Sequence, residues 1–160
     1  MIRAAVLTLS DRGASGERRD ESGGVIGQML GEIGADIVSY GILPDERALI
    51  SARLVELSEI ADLVITTGGT GLSPRDVTPE ATLDVIEREL PGMAEAMRAE
   101  GLKLTRRAML SRAVCGVRAG CLIINLPGSP RAVRENLSVV LDVLVHAVEK
   151  IKGSNEECAR

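Results

Sequence analysis

The sequence predicts an α/β domain, a mainly parallel β-sheet covered by helices on both faces. Three observations predict it. Short apolar runs alternate with stretches of helical periodicity along the chain. The runs are continuous in hydrophobicity, as expected of strands buried on both faces. Helix-start signals, a small polar residue followed by Pro, stand after two of the runs.

The elements follow in order. Residues 4–9 form the first apolar run and a first strand; the run is too short to span a bilayer, which takes about 20 residues. A Gly/Ser loop leads to Val25, Ile26, Met29, Leu30 and Ile33, spaced as one face of a helix. Residues 36–42 read as a second strand. Pro44-Asp45-Glu46 opens a helix carrying Leu49, Ile50, Leu54 and Leu57. Leu63–Thr67 is a third strand that runs into Gly68-Gly69-Thr70-Gly71. Thr78-Pro79-Glu80 has the cap, first-turn proline and acidic residue of a helix start. A Met- and Ala-rich helix spans about residues 92–100. Cys121–Leu126 is another buried strand, and Ser129-Pro130 opens a long last helix faced by Val133, Leu137, Val140, Leu144 and Val148. Residues 1–153 read as one domain, with 154–160 a polar, frayed tail.

Composition excludes several function classes. Nineteen Lys and Arg against 23 Asp and Glu give a net charge of −4, which gives no global attraction to nucleic acid or an acidic membrane. With one Tyr, no Trp and no Phe, the chain offers almost no surface for stacking single-stranded bases. No segment is apolar enough to cross a membrane. The three cysteines, Cys115, Cys121 and Cys158, lack zinc-site spacing and read as reduced thiols of a cytoplasmic protein. Between Glu100 and Glu135 every charged residue is basic, either a solvated face or a local site for a phosphorylated small molecule.

In a parallel sheet ligands bind in the loops at the carboxyl ends of strands. That rule selects the loops after Leu9, Ile42, Thr67 and Leu126. The Gly68–Gly71 stretch lets main-chain amides approach a phosphate, and its threonines add hydroxyl donors. It is neither a P-loop nor a dinucleotide fingerprint, and alone it reads equally as a tight turn. Asp76 lies a few residues beyond it, and Asp45 follows the second strand. Each taken alone is a helix cap or a surface charge. Together, beside an anion-binding loop, they fit one divalent cation shared with phosphate oxygens. Gly128 and Ser129 put a further anion-friendly loop at a helix N-terminus. No Ser–His or Cys–His pairing suggests acyl transfer, whereas phosphoryl-type transfer needs little beyond positioning, a metal and charge stabilisation.

Several motifs together resemble the MogA/MoaB family of molybdenum-cofactor biosynthesis proteins, which includes the G domain of gephyrin. They are Leu9-Ser10-Asp11-Arg12, Leu43-Pro44-Asp45-Glu46, Thr67-Gly68-Gly69-Thr70-Gly71 with Arg75-Asp76-Val77-Thr78-Pro79-Glu80-Ala81, Met109-Leu110-Ser111-Arg112, and Asn125-Leu126-Pro127-Gly128-Ser129-Pro130. The resemblance implies a three-layer α/β/α fold with a mainly parallel, mixed sheet. It implies an adenylyltransferase that moves AMP from Mg-ATP to the terminal phosphate of molybdopterin and releases pyrophosphate; the alternative is a molybdopterin-binding MoaB-type protein without transfer activity. It further implies a homotrimer, Mg²⁺ as cofactor, and hand-over of product to a MoeA-type insertase. Residue by residue, Asp45 and Asp76 match the family's catalytic, metal-binding aspartates. Thr67, Gly68, Gly69, Thr70, Gly71, Gly128 and Ser129 match nucleotide-binding positions. Ser10, Asp11, Ser111 and Arg112 match molybdopterin-binding positions. Gly101 and Arg106-Arg107 depart from the family pattern.

Overall fold

The structure is a computed structural model that describes residues 1–155. Six strands form one mixed sheet: β1 (Arg3–Leu9), β2 (Asp36–Leu43), β3 (Leu63–Thr67), β4 (Arg88–Glu89), β5 (Cys115–Arg118) and β6 (Cys121–Leu126), in the order β2-β1-β3-β6-β5-β4. The pairs β1–β2, β1–β3 and β3–β6 are parallel, whereas β5–β6 and β4–β5 are antiparallel. Helices α1 (Asp11–Ala14), α2 (Glu21–Glu32), α3 (Arg47–Ile60), α4 (Thr78–Leu83), α5 (Pro91–Leu104), α6 (Pro130–Val140) and α7 (Leu144–Ile151) complete the fold.

Side-chain alternation along the strands divides the core into two layers. Ala4 and Val6 of β1, Leu63 and Ile65 of β3, and Leu122 and Ile124 of β6 pack beneath α2, α5, α6 and α7. Ala5, Leu7 and Leu9 of β1, Val64 of β3 and Ile123 of β6 face α3 and α4. The three-layer α/β/α architecture follows from this double burial. Each fully buried Leu or Ile contributes about 1.5–3 kcal/mol of transfer free energy. The core residue Asn125 joins elements that the apolar layers leave to register alone. Its Nδ2 donates to Thr66 Oγ1 and Thr82 Oγ1, both at 3.0 Å, and its Oδ1 accepts from Val114 N at 3.1 Å. At the opposite end of the sheet, buried Asp62 binds Arg3 and Lys152. Burial opposes its ionisation, but these two cations hold the carboxyl well below the usual range. Burial also pushes the Cys115 and Cys121 thiols up to about 12, so neither is a reactive thiolate near neutral pH.

Several elements differ from the sequence reading. The antiparallel pair β4–β5 had no forecast: β4 is two residues long, and β5, Cys115-Gly116-Val117-Arg118, lacks an apolar run. The β5–β6 turn holds Ala119 and Gly120 at positive φ, 47° and 79°. The long last helix is broken by a 3₁₀ turn at Leu141–Val143. Helix α3 begins at Arg47, after Pro44-Asp45-Glu46, with Glu46 at its N-cap, so Asp45 is not a cap. Thr78 is the first residue of α4, not its cap, because its buried hydroxyl donates instead to Gly68 O at 2.9 Å. Of the expected tail, residues 156–160 lie outside the described residues. Strand β2 is an open sheet edge, and Ile37, Val38 and Tyr40 on it are exposed.

Candidate active site

The loops leaving β1, β2, β3 and β6 surround a cleft of about 450 Å³ at the carboxyl edge of the parallel strands. Ser10 follows β1 and caps α1, its Oγ accepting from Gly13 N at 3.0 Å. Asp11 and Asp45 are tied reciprocally. Asp45 N donates to Asp11 Oδ1 at 3.0 Å, and Asp11 N donates to Asp45 Oδ2 at 3.1 Å. The Arg75 guanidinium closes on the Asp11 carboxylate in a fork at 2.8 and 3.0 Å. This hydrogen-bonded cation, with the Asp45 amide, lowers the Asp11 carboxyl below its ordinary value.

Asp45 is the opposite case. Burial pushes its carboxyl up; the Asp11 amide pulls it down; the charges of Asp11 and Asp76 push it up again. The net direction is upward, and Asp45 Oδ1 is buried with no hydrogen-bond donor. Such an atom costs about 1–3 kcal/mol unless something binds it. Asp76 lines the same cleft, its Oδ2 accepting from Ser73 N at 2.9 Å. Among the described residues no three His, Cys, Asp or Glu side chains form a metal cage. Two carboxylates plus phosphate oxygens are the usual donor set for Mg²⁺.

The glycine-rich loop passes so close to its neighbours that side chains are impossible at two positions. Gly68 has φ +97°, and a Cβ there would sit 2.3 Å from the Leu9 carbonyl oxygen. Gly69 has φ +66°, and a Cβ there would sit 2.3 Å from Thr78 Oγ1 and 3.1 Å from Asp45 Oδ1. Not every donor in the loop is available to a phosphate. Gly68 N donates to Leu126 O at 3.0 Å, and Thr67 Oγ1 donates to Pro127 O at 2.6 Å. The amides of Gly69, Thr70 and Gly71 have no hydrogen-bond partner among the described residues. Gly128 and Ser129 border the cleft at the start of α6, where Ser129 Oγ accepts from Ala132 N at 3.1 Å.

A second cleft, about 250 Å³, opens on the other side of this loop. Thr70 and Gly71 line it, with Arg98, Gly101, Arg107 and Ser111. Gly101 and Arg107, which depart from the family pattern, thus both face it. Thr67, Gly68, Gly69, Ser10, Asp45, Asp76, Gly128 and Ser129 gather at the first cleft, and Ser111 at the second. Arg112 enters neither. Its Nε donates to Gly71 O and its Nη2 to Asp76 O, both at 2.8 Å, and its Nη1 pairs with Glu80. It clamps the glycine-rich loop to the Asp76 turn. Three of the six other basic residues of the stretch are engaged in the same intramolecular way, Lys103 with Glu100, Arg118 with Val85 O and Arg131 with Glu135.

The sequence reading missed Thr8, Arg18, Arg19 and Asp20, which line the first cleft. Asp20 N-caps α2 through Gly23 N at 3.0 Å, accepts from Thr8 Oγ1 at 2.7 Å, and binds the Tyr40 hydroxyl. Burial, then this carboxylate, pushes the Tyr40 phenol up to about 12 and keeps it a donor. A usable signal existed: the polar connection between β1 and α2 is longer than the 2–6 residues common for such loops, and long ordered loops are usually functional.

Comparison with known proteins agrees with this architecture. Residues 5–146 match the family model described as "Probable molybdopterin binding domain". The chain is 43% identical over 157 residues to a molybdopterin adenylyltransferase of Helicobacter pylori strain J99, covering 96% of this chain and 89% of that protein. It is 39% identical over 155 residues to the molybdopterin adenylyltransferase of Escherichia coli K12, covering 92% and 80%. The crystal structure of the molybdopterin biosynthesis enzyme MoaB from Thermus thermophilus superposes with a TM-score of 0.91 at 46% identity, covering 96% of this chain and 98% of that one. A family match across most of the chain, relatives near 40% identity and a shared sheet topology lead to one assignment: the chain belongs to the molybdopterin-binding family that contains MogA and MoaB.

Proposed function

We propose that the chain is an adenylyltransferase of molybdenum-cofactor biosynthesis, transferring AMP from ATP to the terminal phosphate of molybdopterin. In the balanced step, an oxygen of the pterin phosphate forms a bond to the α-phosphorus. The bond from that phosphorus to the bridging oxygen breaks, and pyrophosphate leaves with the electron pair. The observation that carries the reading is the shared loop. Gly68 and Gly69 face the cleft with the two aspartates, while Thr70 and Gly71 face the cleft with Ser111. Two substrates bound on either side of one short loop meet across it, which turns a bimolecular encounter into a positioned one.

Within this reading ATP occupies the first cleft and molybdopterin the second. The free amides of Gly69, Thr70 and Gly71 take phosphate oxygens, as does the α6 N-terminus at Gly128 and Ser129. Asp45 and Asp76 would hold Mg²⁺, and the buried, unpaired Asp45 Oδ1 fits such a cation. Bound Mg²⁺ would neutralise phosphate charge and so stabilise the transition state. Ser10 borders the nucleotide side, Asp11 positions Asp45 through their reciprocal hydrogen bonds, and Ser111 holds the pterin; Arg112 supports both sides through the loop it clamps. The chain works in the cytoplasm as a homotrimer and passes its product to a MoeA-type insertase. Support for assembly is the open β2 edge with exposed Ile37, Val38 and Tyr40, and among the described residues no helix is long and apolar enough to cross a membrane.

The test is pyrophosphate release from Mg-ATP in the presence and absence of molybdopterin. Release that depends on the pterin, with adenylylated pterin as co-product, is expected. Tight pterin binding with no release would replace this reading by a carrier role.

A further inference from the structure

We propose that Arg18 and Arg19 form the grip for the leaving pyrophosphate, an inference that rests on the adenylyl-transfer reading above. They are the basic side chains lining the first cleft. Three nearby arginines are committed. Arg75 holds Asp11, Arg47 holds Asp84, and Arg112 holds Glu80 with two carbonyls. The guanidinium groups of Arg18 and Arg19 have no partner among the described residues, although they border a cleft that also contains four acidic residues, Asp20, Glu21, Asp45 and Asp76. Asp20, their neighbour in the chain, does not quench them. Its carboxylate is occupied by Thr8, Tyr40 and the α2 amide of Gly23.

Their segment is fixed at both ends. On one side the amides of Glu17 and Arg18 donate to Arg12 O at 3.0 and 3.3 Å. On the other, Asp20 is anchored to β1 through Thr8, and Ser22 donates to Gly128 O at 2.7 Å. Unpaired cations on an anchored segment are already placed for an anion, which lowers the ordering cost of binding one.

Position assigns the anion. Asp45 and Asp76 sit on the connections that lead to α3 and α4, which cover one face of the sheet. Arg18 and Arg19 sit on the connection that leads to α2, which covers the other. The glycine-rich loop after β3 separates Arg18 and Arg19, which line the first cleft, from Arg98, Arg107 and Ser111, which line the second. A triphosphate whose α-phosphorus lies at the loop therefore points its β- and γ-phosphates away from the pterin, toward the arginines. When the bridging oxygen leaves, its new negative charge appears at that end. Arg binds such oxygens in a bidentate fork, and a donor that meets charge formed in the transition state is worth about 10²–10³ in rate.

The experiment compares wild type, R18A/R19A and R18K/R19K by calorimetric titration with inorganic pyrophosphate and with AMP, both with Mg²⁺, and by pyrophosphate inhibition of transfer. The Ala double variant should lose about tenfold or more in pyrophosphate affinity and about 100-fold in kcat, with AMP affinity within about twofold of wild type. The Lys variant should recover much of the pyrophosphate affinity, since charge is kept. Equal loss of AMP and pyrophosphate binding, an unchanged pyrophosphate affinity, or a wild type that does not bind pyrophosphate would each overturn the grip. Normal transfer by the Ala variant sinks this inference alone. Absence of transfer by wild type sinks the reading beneath it, while the pyrophosphate titration still decides the arginines.

Discussion

The two clefts are built from different materials. The first cleft gathers the loops that leave four parallel strands, and glycines, four acidic side chains and the arginines Arg18 and Arg19 stand in its walls. The second cleft lies where the sheet turns antiparallel, and its walls come from α5, the 3₁₀ turn at Arg106–Leu110 and α6. Parallel topology brings loop ends to one edge automatically, so a site there needs little beyond the right loop residues. The second site depends on helix packing, and side chains of Arg98, Arg107 and Ser111 join the loop amides as its donors. The glycine-rich loop serves both, and Arg112 holds that loop from outside either cleft.

The sharpest way to break the comparison is at the carboxylates. Asp76→Asn and Asp45→Asn should each lower transfer by about 10²–10³-fold, measured as pyrophosphate release, with pterin binding retained. Their stabilities should diverge from their activities. Asp45→Asn removes a carboxylate that burial, Asp11 and Asp76 disfavour, so the free protein should gain about 0.5 kcal/mol after solvent screening is allowed for. A clear loss of stability in urea would show that the Asp45 charge is not a strained element of the fold.

Next in size is the clamp. Arg112→Ala leaves Gly71 O, Asp76 O and Glu80 without their donor. A cost of about 2 kcal/mol in urea unfolding is expected, with affinity falling at both clefts. Loss at one cleft only would mean that the loop is not held as a unit. Ser111→Ala is expected to act on one side, raising KM for molybdopterin about tenfold with ATP binding unchanged. The smallest effect lies outside both sites. Ala119 holds a left-handed conformation at φ 47° that costs about 1 kcal/mol. Ala119→Gly should therefore raise stability by about 0.5 kcal/mol with turnover unchanged, offset in part by the freer unfolded chain.

The parallel half was legible because β1, β3 and β6 are continuous apolar runs that end in glycine or polar loops. The antiparallel half was not. Cys115-Gly116-Val117-Arg118 carries no run, and Ala119-Gly120 is an unusual pair for a two-residue hairpin turn. Within the site, Asp45 and Asp76 could be singled out because each follows a strand and a loop. The partners of Thr78 and Arg112 could not, because they are made by tertiary approach. Thr78 has the local pattern of a cap, yet its hydroxyl meets a carbonyl ten residues away. The Arg112 fork reaches Gly71 and Asp76, 41 and 36 residues back in the chain.

Gly69 borders one cleft and Thr70, the next residue, borders the other. Pro127 and Gly128 divide the clefts in the same way, so two peptide units form the party wall between two guests. Thermodynamic reciprocity then applies: whatever factor ATP imposes on the affinity for pterin, pterin must impose on the affinity for ATP. Cooperativity between the two substrates becomes a property of two adjoining peptide planes.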